Sequence, residues 1–136
     1  MDQANYSDIS VLIVDDNDMT RETLRVVLHH VGYQIVGEAG DGDVAFDQAM
    51  RLQPDLILLD VVMPRVSGLE ALKNIRAEMK NVAILMVSAN QDEETVSVAT
   101  HLGISGYIAK PFKAREVLTT LAEVAQVIRD RRASLQ

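Results

Sequence analysis

Pro54-Asp55-Leu56-Ile57-Leu58-Leu59-Asp60 sets four consecutive aliphatic side chains between a proline and an acidic residue. A strand that is apolar on both faces must be covered on both faces, which is the habit of a parallel sheet between two layers of helices. The same pattern recurs along the chain, and strands are expected at Val11–Val14, Gln34–Glu38, Leu56–Leu59, Val82–Val87 and Gly106–Ala109. Between them run segments with helical period, each with one apolar stripe. Leu24, Val27, Leu28 and Val31 mark the first, and Val44, Ala45, Ala49 and Leu52 the second. Leu69, Leu72, Ile75 and Met79 mark the third, and Val98, Ala99 and Leu102 weakly mark the fourth. Val117, Leu118, Leu121, Val124, Ala125 and Ile128 mark the last. Asn17 or Asp18 can cap the first helix and Ser67 the third, while Gly32, Pro54 and Gly103 supply stops. The order is βαβαβαβαβα, an α/β fold with helices on both faces of a five-stranded parallel sheet. Strand order 2-1-3-4-5 is a common solution for such a chain, although periodicity alone does not fix it.

Composition bounds the rest. The chain has 136 residues, 48% hydrophobic and 24% charged, which suits one globular domain with a real core. No repeat or linker divides it, and the expected partition is a flexible tail at 1–8, a domain at 9–129 and a C-terminal tail or linker start at 130–136. Cysteine is absent, so disulfides, thiolate metal clusters and cysteine nucleophiles are excluded. Met1–Asp8 lacks the basic and apolar regions of a secretion signal, and no apolar run reaches the roughly 18 residues of a membrane span. A cytoplasmic protein without membrane contact is expected. A formal charge of −7 argues against direct nucleic-acid binding.

In open α/β sheets ligands bind beyond the carboxyl ends of the strands, so those positions form a set. The first strand ends in Asp15-Asp16, the third in Asp60, the fourth in Ser88-Ala89 and the fifth in Lys110-Pro111. Taken singly each has an ordinary use: an acidic helix entry, a turn residue, a helix-entry hydroxyl, a surface cation. Together they bring three carboxylates, a hydroxyl and an ammonium to one rim, provided that the first and third strands are neighbours. Like charges so close persist only with a counter-charge, and a hard divalent cation, Mg2+, is the natural one. That set suits phosphoryl chemistry. Asp60 is the best placed nucleophile for an aspartyl phosphate, Asp15 and Asp16 would hold the metal, Ser88 would bond one phosphoryl oxygen and Lys110 would pair with another.

These residues resemble the receiver domain of two-component response regulators, including the stand-alone chemotaxis regulator. The likeness runs from Val11 to about Ile128. It is carried by VLIVDDN (11–17), AGDGDVA (39–45), PDLILLDVVMPRVSGLEAL (54–72), VSAN (87–90) and GYIAKPF (106–112). The resemblance implies a flavodoxin-like (βα)5 receiver fold. It also implies that Asp60 accepts a phosphoryl group from a sensor histidine kinase or phosphotransfer protein. In it Asp15 and Asp16 match the Mg2+-binding pair, Val62 lends its backbone carbonyl, Ser88 is the switch hydroxyl and Lys110 the paired lysine. Tyr107 matches the aromatic that turns inward on activation, and Lys110-Pro111 a cis peptide. The output surface would be the fourth helix, fifth strand and fifth helix, acting on a partner protein or a covalently linked output domain. Such a domain is a signalling phosphoacceptor, catalysing only its own phosphorylation and dephosphorylation.

Two positions depart from the family's commoner choices: Val62 is apolar and Asn90 uncharged, at sites that tune dephosphorylation. Gly103-Ile104-Ser105-Gly106-Tyr107 lacks the paired acidic residues of regulators that dimerise through this surface, so a monomer or weak dimer is expected. His29, His30 and His101 read as surface or helix-end residues. A haloacid-dehalogenase-like phosphatase would need an Asp where Val62 stands. A flavin or nucleotide binder would need a Gly, Ser or Thr-rich loop where Asp15-Asp16-Asn17-Asp18 stands. A receiver that signals by binding alone is the remaining alternative. The sequence leaves open whether the chain stands alone or begins a longer regulator.

Overall fold

A computed structural model describes residues 5–63 and 65–135. The elements alternate as β1 (Ser10–Val14), α1 (Asp18–His30), β2 (Gln34–Ala39), α2 (Gly42–Leu52), β3 (Leu56–Leu59), α3 (Gly68–Glu78), β4 (Ala83–Ser88), α4 (Glu93–His101), β5 (Gly106–Ala109) and α5 (Ala114–Ser134). The five strands form one parallel sheet in the order β2-β1-β3-β4-β5.

Side-chain alternation divides the core between the two faces. Val11, Ile13, Leu56, Leu58, Leu85 and Val87 point to the face covered by α1 and α5. Leu12, Val14, Ile57, Leu59, Ile84 and Met86 point to the face covered by α2, α3 and α4. The unbroken apolar runs of β3 and β4 follow from this, since these strands have a helix layer on each side.

Local chemistry sets the helix starts as the sequence indicates. Asn17 Oδ1 accepts the Thr20 amide at 2.9 Å, and Ser67 Oγ accepts the Glu70 amide at 3.2 Å. Asp41, which carries no expectation from the sequence, caps α2 through the Val44 amide at 2.9 Å. Gly32 and Gly103, just past α1 and α4, have φ of +86° and +78°, a region that side-chain-bearing residues disfavour.

Tails are expected at 1–8 and 130–136, and the described residues 5–8 and 130–135 make contacts with the rest of the fold. Residues 1–4 and 136 lie outside the described residues, as does Pro64 of the 54–72 motif. Tyr6 stacks on Tyr33 with ring centroids 4.5 Å apart, and the Arg129 guanidinium sits 4.8 Å from the Tyr6 ring. Asp8 receives Arg129 at 2.7 Å and Arg132 at 3.2 Å, and Arg132 also reaches Asp55 at 2.9 Å. The apolar period of α5 stops at Ile128. Its helix nevertheless continues to Ser134, carrying the arginines that make these ion pairs.

The sharpest steric constraint lies beside the carboxyl end of β3. The Gly68 amide donates to the Val61 carbonyl at 2.8 Å, and a Cβ on Gly68 would stand 1.7 Å from the Asp60 carbonyl oxygen. No side chain fits there without moving α3 or the β3–α3 loop. Gly68→Ala is therefore expected to lower stability by at least about 3 kcal/mol, the upper end of ordinary overpacking. Urea denaturation checks this, with Gly103→Ala as the comparison, since a Cβ at Gly103 meets nothing within 4 Å and only its positive φ opposes the change.

Candidate functional site

Ladder register carries the expected residues to one place. Val14 pairs with Leu59 across β1 and β3, so Asp15 and Asp60 emerge side by side. The Asp60 amide donates to the Val14 carbonyl and the Asp15 amide to the Ala39 carbonyl, both at 3.0 Å. Ser88 pairs with Ala109, and the Lys110 amide donates to the Ser88 carbonyl at 3.0 Å. Asp15, Asp60, Ser88 and Lys110 thus stand at one rim, on backbone already fixed by the sheet.

The Lys110 ammonium lies 2.6 Å from Asp15 Oδ2 and 3.2 Å from Asp60 Oδ2. Asp15 Oδ1 accepts the Asn17 amide at 2.9 Å, and Asp60 Oδ1 accepts the Val62 amide at 3.2 Å. Asp15 and Asp60 are buried at 1% and 5% exposure, while Asp16 is open to solvent. One carboxylate oxygen from each of Asp15, Asp16 and Asp60 falls within 4.8 Å of the others.

Three carboxylates against one ammonium leave two negative charges, and the donors are all hard oxygens. That set fits a divalent cation such as Mg2+, with Asp15, Asp16 and Asp60 as its candidate holders. Burial is the main influence on Asp15 and pushes its pKa up, with the Asp60 charge adding to it. The Lys110 and Asn17 hydrogen bonds only partly offset this. Burial works against the Lys110 cation, but Asp15 and Asp60 together outweigh it and hold its pKa above the ordinary lysine value.

Ser88 is fully buried, and its hydroxyl oxygen accepts the Asn90 amide at 3.2 Å. The half-buried Tyr107 donates its hydroxyl to the Asn90 carbonyl. Burial raises the phenol pKa, consistent with a neutral donor. Asn90 therefore bonds both groups through its backbone, donating its amide to Ser88 and accepting from Tyr107 at its carbonyl. The Lys110-Pro111 peptide is cis. Val62 is 60% exposed beside Asp60. His29, His30 and His101 occupy the last turns of α1 and α4, away from the carboxylates.

Sequence reasoning missed Arg21. Its guanidinium donates to the Asp15 carbonyl at 2.5 Å, pairs with Asp18 and lies 3.3 Å from Glu38, tying the β1–α1 turn to β2. Its position one turn into α1 was the available signal, but an arginine on a helix surface has many ordinary uses. The part played by the Asn90 main chain had no signal in residue type at all.

A model of the response regulator receiver domain matches residues 11–122. The chain is 36% identical over 114 residues to protein CcdB of Bacillus subtilis (strain 168), covering 84% of this chain and 95% of that one. It is 34% identical over 116 residues to chemotaxis protein CheY of Thermotoga maritima, covering 85% and 97%. It spans about half the length of several other relatives, transcriptional regulators among them. The fold superposes with a TM-score of 0.84 on a chain of the CheX-CheY-BeF3-Mg2+ complex of Borrelia burgdorferi, at 31% identity and covering 90% and 95%.

The raised Asp15 pKa has a direct consequence for stability. The folded chain holds the Asp15 proton above the ordinary value of 3.8, so this contribution is complete below 3.8 and is lost as pH rises through the folded pKa. With metal chelated, Asp15→Asn is therefore expected to gain in melting temperature relative to the wild type as the pH is raised from below 3.8. Adding Mg2+ at about 100 times its dissociation constant should oppose that gain, because saturation of a native-state site contributes about 2.7 kcal/mol. Thermal melts in chelator and in Mg2+ check both halves.

Proposed function

The chain belongs to the response regulator receiver family, and from that membership we propose that Asp60 is its phosphoacceptor and α4, β5 and α5 its output surface. The observation that carries the reading is the placement of Asp60. Its carboxylate lies at the rim with Oδ2 3.2 Å from an ammonium and in reach of two further carboxylates.

In the proposed step an Asp60 carboxylate oxygen attacks the phosphorus of a phosphohistidine on a sensor kinase or phosphotransfer protein. The new O–P bond forms as the P–N bond breaks, and the imidazole leaves with that electron pair. Lys110 pairs with one phosphoryl oxygen and Ser88 donates its hydroxyl to another. Mg2+, held by Asp15, Asp16, Asp60 and the Val62 carbonyl, would neutralise phosphoryl charge. Support for the metal comes from the donor set and from the Borrelia relative, whose complex contains BeF3 and Mg2+. Beryllium trifluoride has the shape and charge of a phosphoryl group.

A dianion on Asp60 draws Ser88 Oγ toward it and away from the Asn90 amide, which frees the β4–α4 loop. Tyr107 then turns into the space released. The receiver unit is read as residues 9–129, with α5 running on from it. The match to about half of several transcriptional regulators supports a linked output domain as one destination of the signal, and the match to nearly all of two shorter relatives supports a separate partner. A cytoplasmic location accompanies this reading, and no helix among the described residues is long and apolar enough to cross a membrane. The chain is a signalling phosphoacceptor, and the only reactions it would catalyse are its own phosphorylation and dephosphorylation.

Incubation with acetyl phosphate and Mg2+ is expected to add a single group of about 80 Da to the wild type, the mass of one phosphoryl. Asp60→Asn, with unchanged circular dichroism, is expected to add none, and Asp16→Ala to label more slowly and to gain less thermal stability from Mg2+. Intact mass measures the first two. Undiminished labelling of Asp60→Asn would remove Asp60 from the role.

A further inference from the structure

The two ends of α4 are held by different means. At its start no backbone amide of the first turn bonds to the Asp92 side chain, and Ala99 is the one buried residue of the helix. The preceding loop is tied to the rim through Asn90, whose amide goes to Ser88 Oγ and whose carbonyl takes the Tyr107 hydroxyl. Both ties belong to the groups that respond at the site.

At the other end, Arg76 of α3 inserts its guanidinium among carbonyl oxygens from three segments. Nε donates to Leu102 at 3.0 Å and Nη2 to Gly103 at 3.2 Å, at the end of α4. Nη1 donates to Met79 at 3.2 Å and Lys80 at 3.1 Å after α3, and to Val82 at 2.7 Å before β4. Burial, and after it the nearby Arg131, lowers the Arg76 pKa, but an arginine so placed remains a cation with its full set of donors. No lysine could do this, because an ammonium has three donors at one point and the five acceptors surround a planar fork. The helix end is closed on itself as well, with the Leu102 amide donating to Val98 and Ala99 and the Gly103 amide to Thr100.

We propose that Arg76 is the pivot of α4, a positioning residue that fixes the C-terminal end of the helix so that a change at the rim swings its N-terminal end. The proposal rests on the phosphoacceptor reading above. A rigid helix pinned at one end turns a small displacement of Asn90 into a rotation of the exposed face of α4. With the pin removed, the same displacement would slide or fray the whole helix, and less of it would appear as a defined change of surface.

Amide hydrogen exchange on the full chain tests this, with beryllium trifluoride plus Mg2+ as the probe and with wild type, Arg76→Met and Arg76→Lys compared. In the wild type the probe is expected to change exchange several-fold across residues 90–96 while residues 102–105 stay within about twofold. In Arg76→Met, residues 102–105 are expected to exchange at least about tenfold faster without the probe and to respond when it is added. Arg76→Lys, which keeps the charge and is the variant to use should Arg76→Met fail to fold, is expected to lose the pin as well. A wild type that responds equally at both ends, or variants with wild-type exchange at 102–105, would overturn the pivot alone. A wild type with no response anywhere would overturn the phosphoacceptor reading and the pivot with it.

Discussion

The contact between the Lys110 ammonium and the buried carboxylates of Asp15 and Asp60 is the interaction around which the rim is organised. It exists because β1 and β3 are neighbours and in register, and because β5 reaches the same rim two strands away. The arrangement is not one that stability alone would select. Two nearly dry carboxylates share one cation, a third carboxylate stands beside them, and burial raises the Asp15 pKa despite the lysine. Charge strain of this kind is found where a site must bind or transfer charge, and it leaves the rim ready to gain from a divalent cation.

Steric fixation around the rim keeps that strain from relaxing. Gly68 lets α3 approach the Asp60 carbonyl more closely than a side chain would permit. The Gly42 amide meets the Val66 carbonyl at 3.1 Å, and Arg65, at φ 62°, pairs with Asp41 at the start of α2. The β3–α3 loop is therefore held by backbone on both sides. The β4–α4 side is different, since its loop is tied to the rim through a hydroxyl and a phenol that can each choose another partner. On the phosphoacceptor reading proposed above, this difference between the two sides would give the site a direction in which to respond.

Much of this was legible in the sequence, for identifiable reasons. Unbroken runs such as Leu56–Leu59 announced strands covered on both faces, and short polar residues at Asn17 and Ser67 announced caps, because these signals are local. The site was legible once strand ends were read as a set, since the register that joins Asp15 to Asp60 follows from the position of each after its strand. Features made by long-range contact were not legible. The 5–8 segment looked loose because Tyr6 finds Tyr33 and Arg129 only in the folded chain. The last turns of α5 looked like a tail because ion pairs, and no apolar stripe, hold them. Arg76 in the last turn of α3 gave no signal, since its partners are carbonyl oxygens, which leave no mark in residue type.

The two edges of the sheet thus use charge in opposite ways. At the amino ends of the strands every acidic group in the cluster is matched: Asp8 by Arg129 and Arg132, and Asp55 by Arg132 together with the Ser10 amide and hydroxyl at 2.8 and 3.1 Å. Hydrogen bonding to Arg129 holds the Asp8 carboxyl below its usual range, so that edge favours the charged form it already has. At the carboxyl ends the acids outnumber the cation and burial works against the charged form of Asp15. One edge is closed electrostatically and the other is left open for an added charge. On the proposed phosphoacceptor reading, an added phosphoryl group or metal would act on the open edge while the matched edge keeps the strands in register, and a reversible switch needs that division between a part that yields and a part that does not.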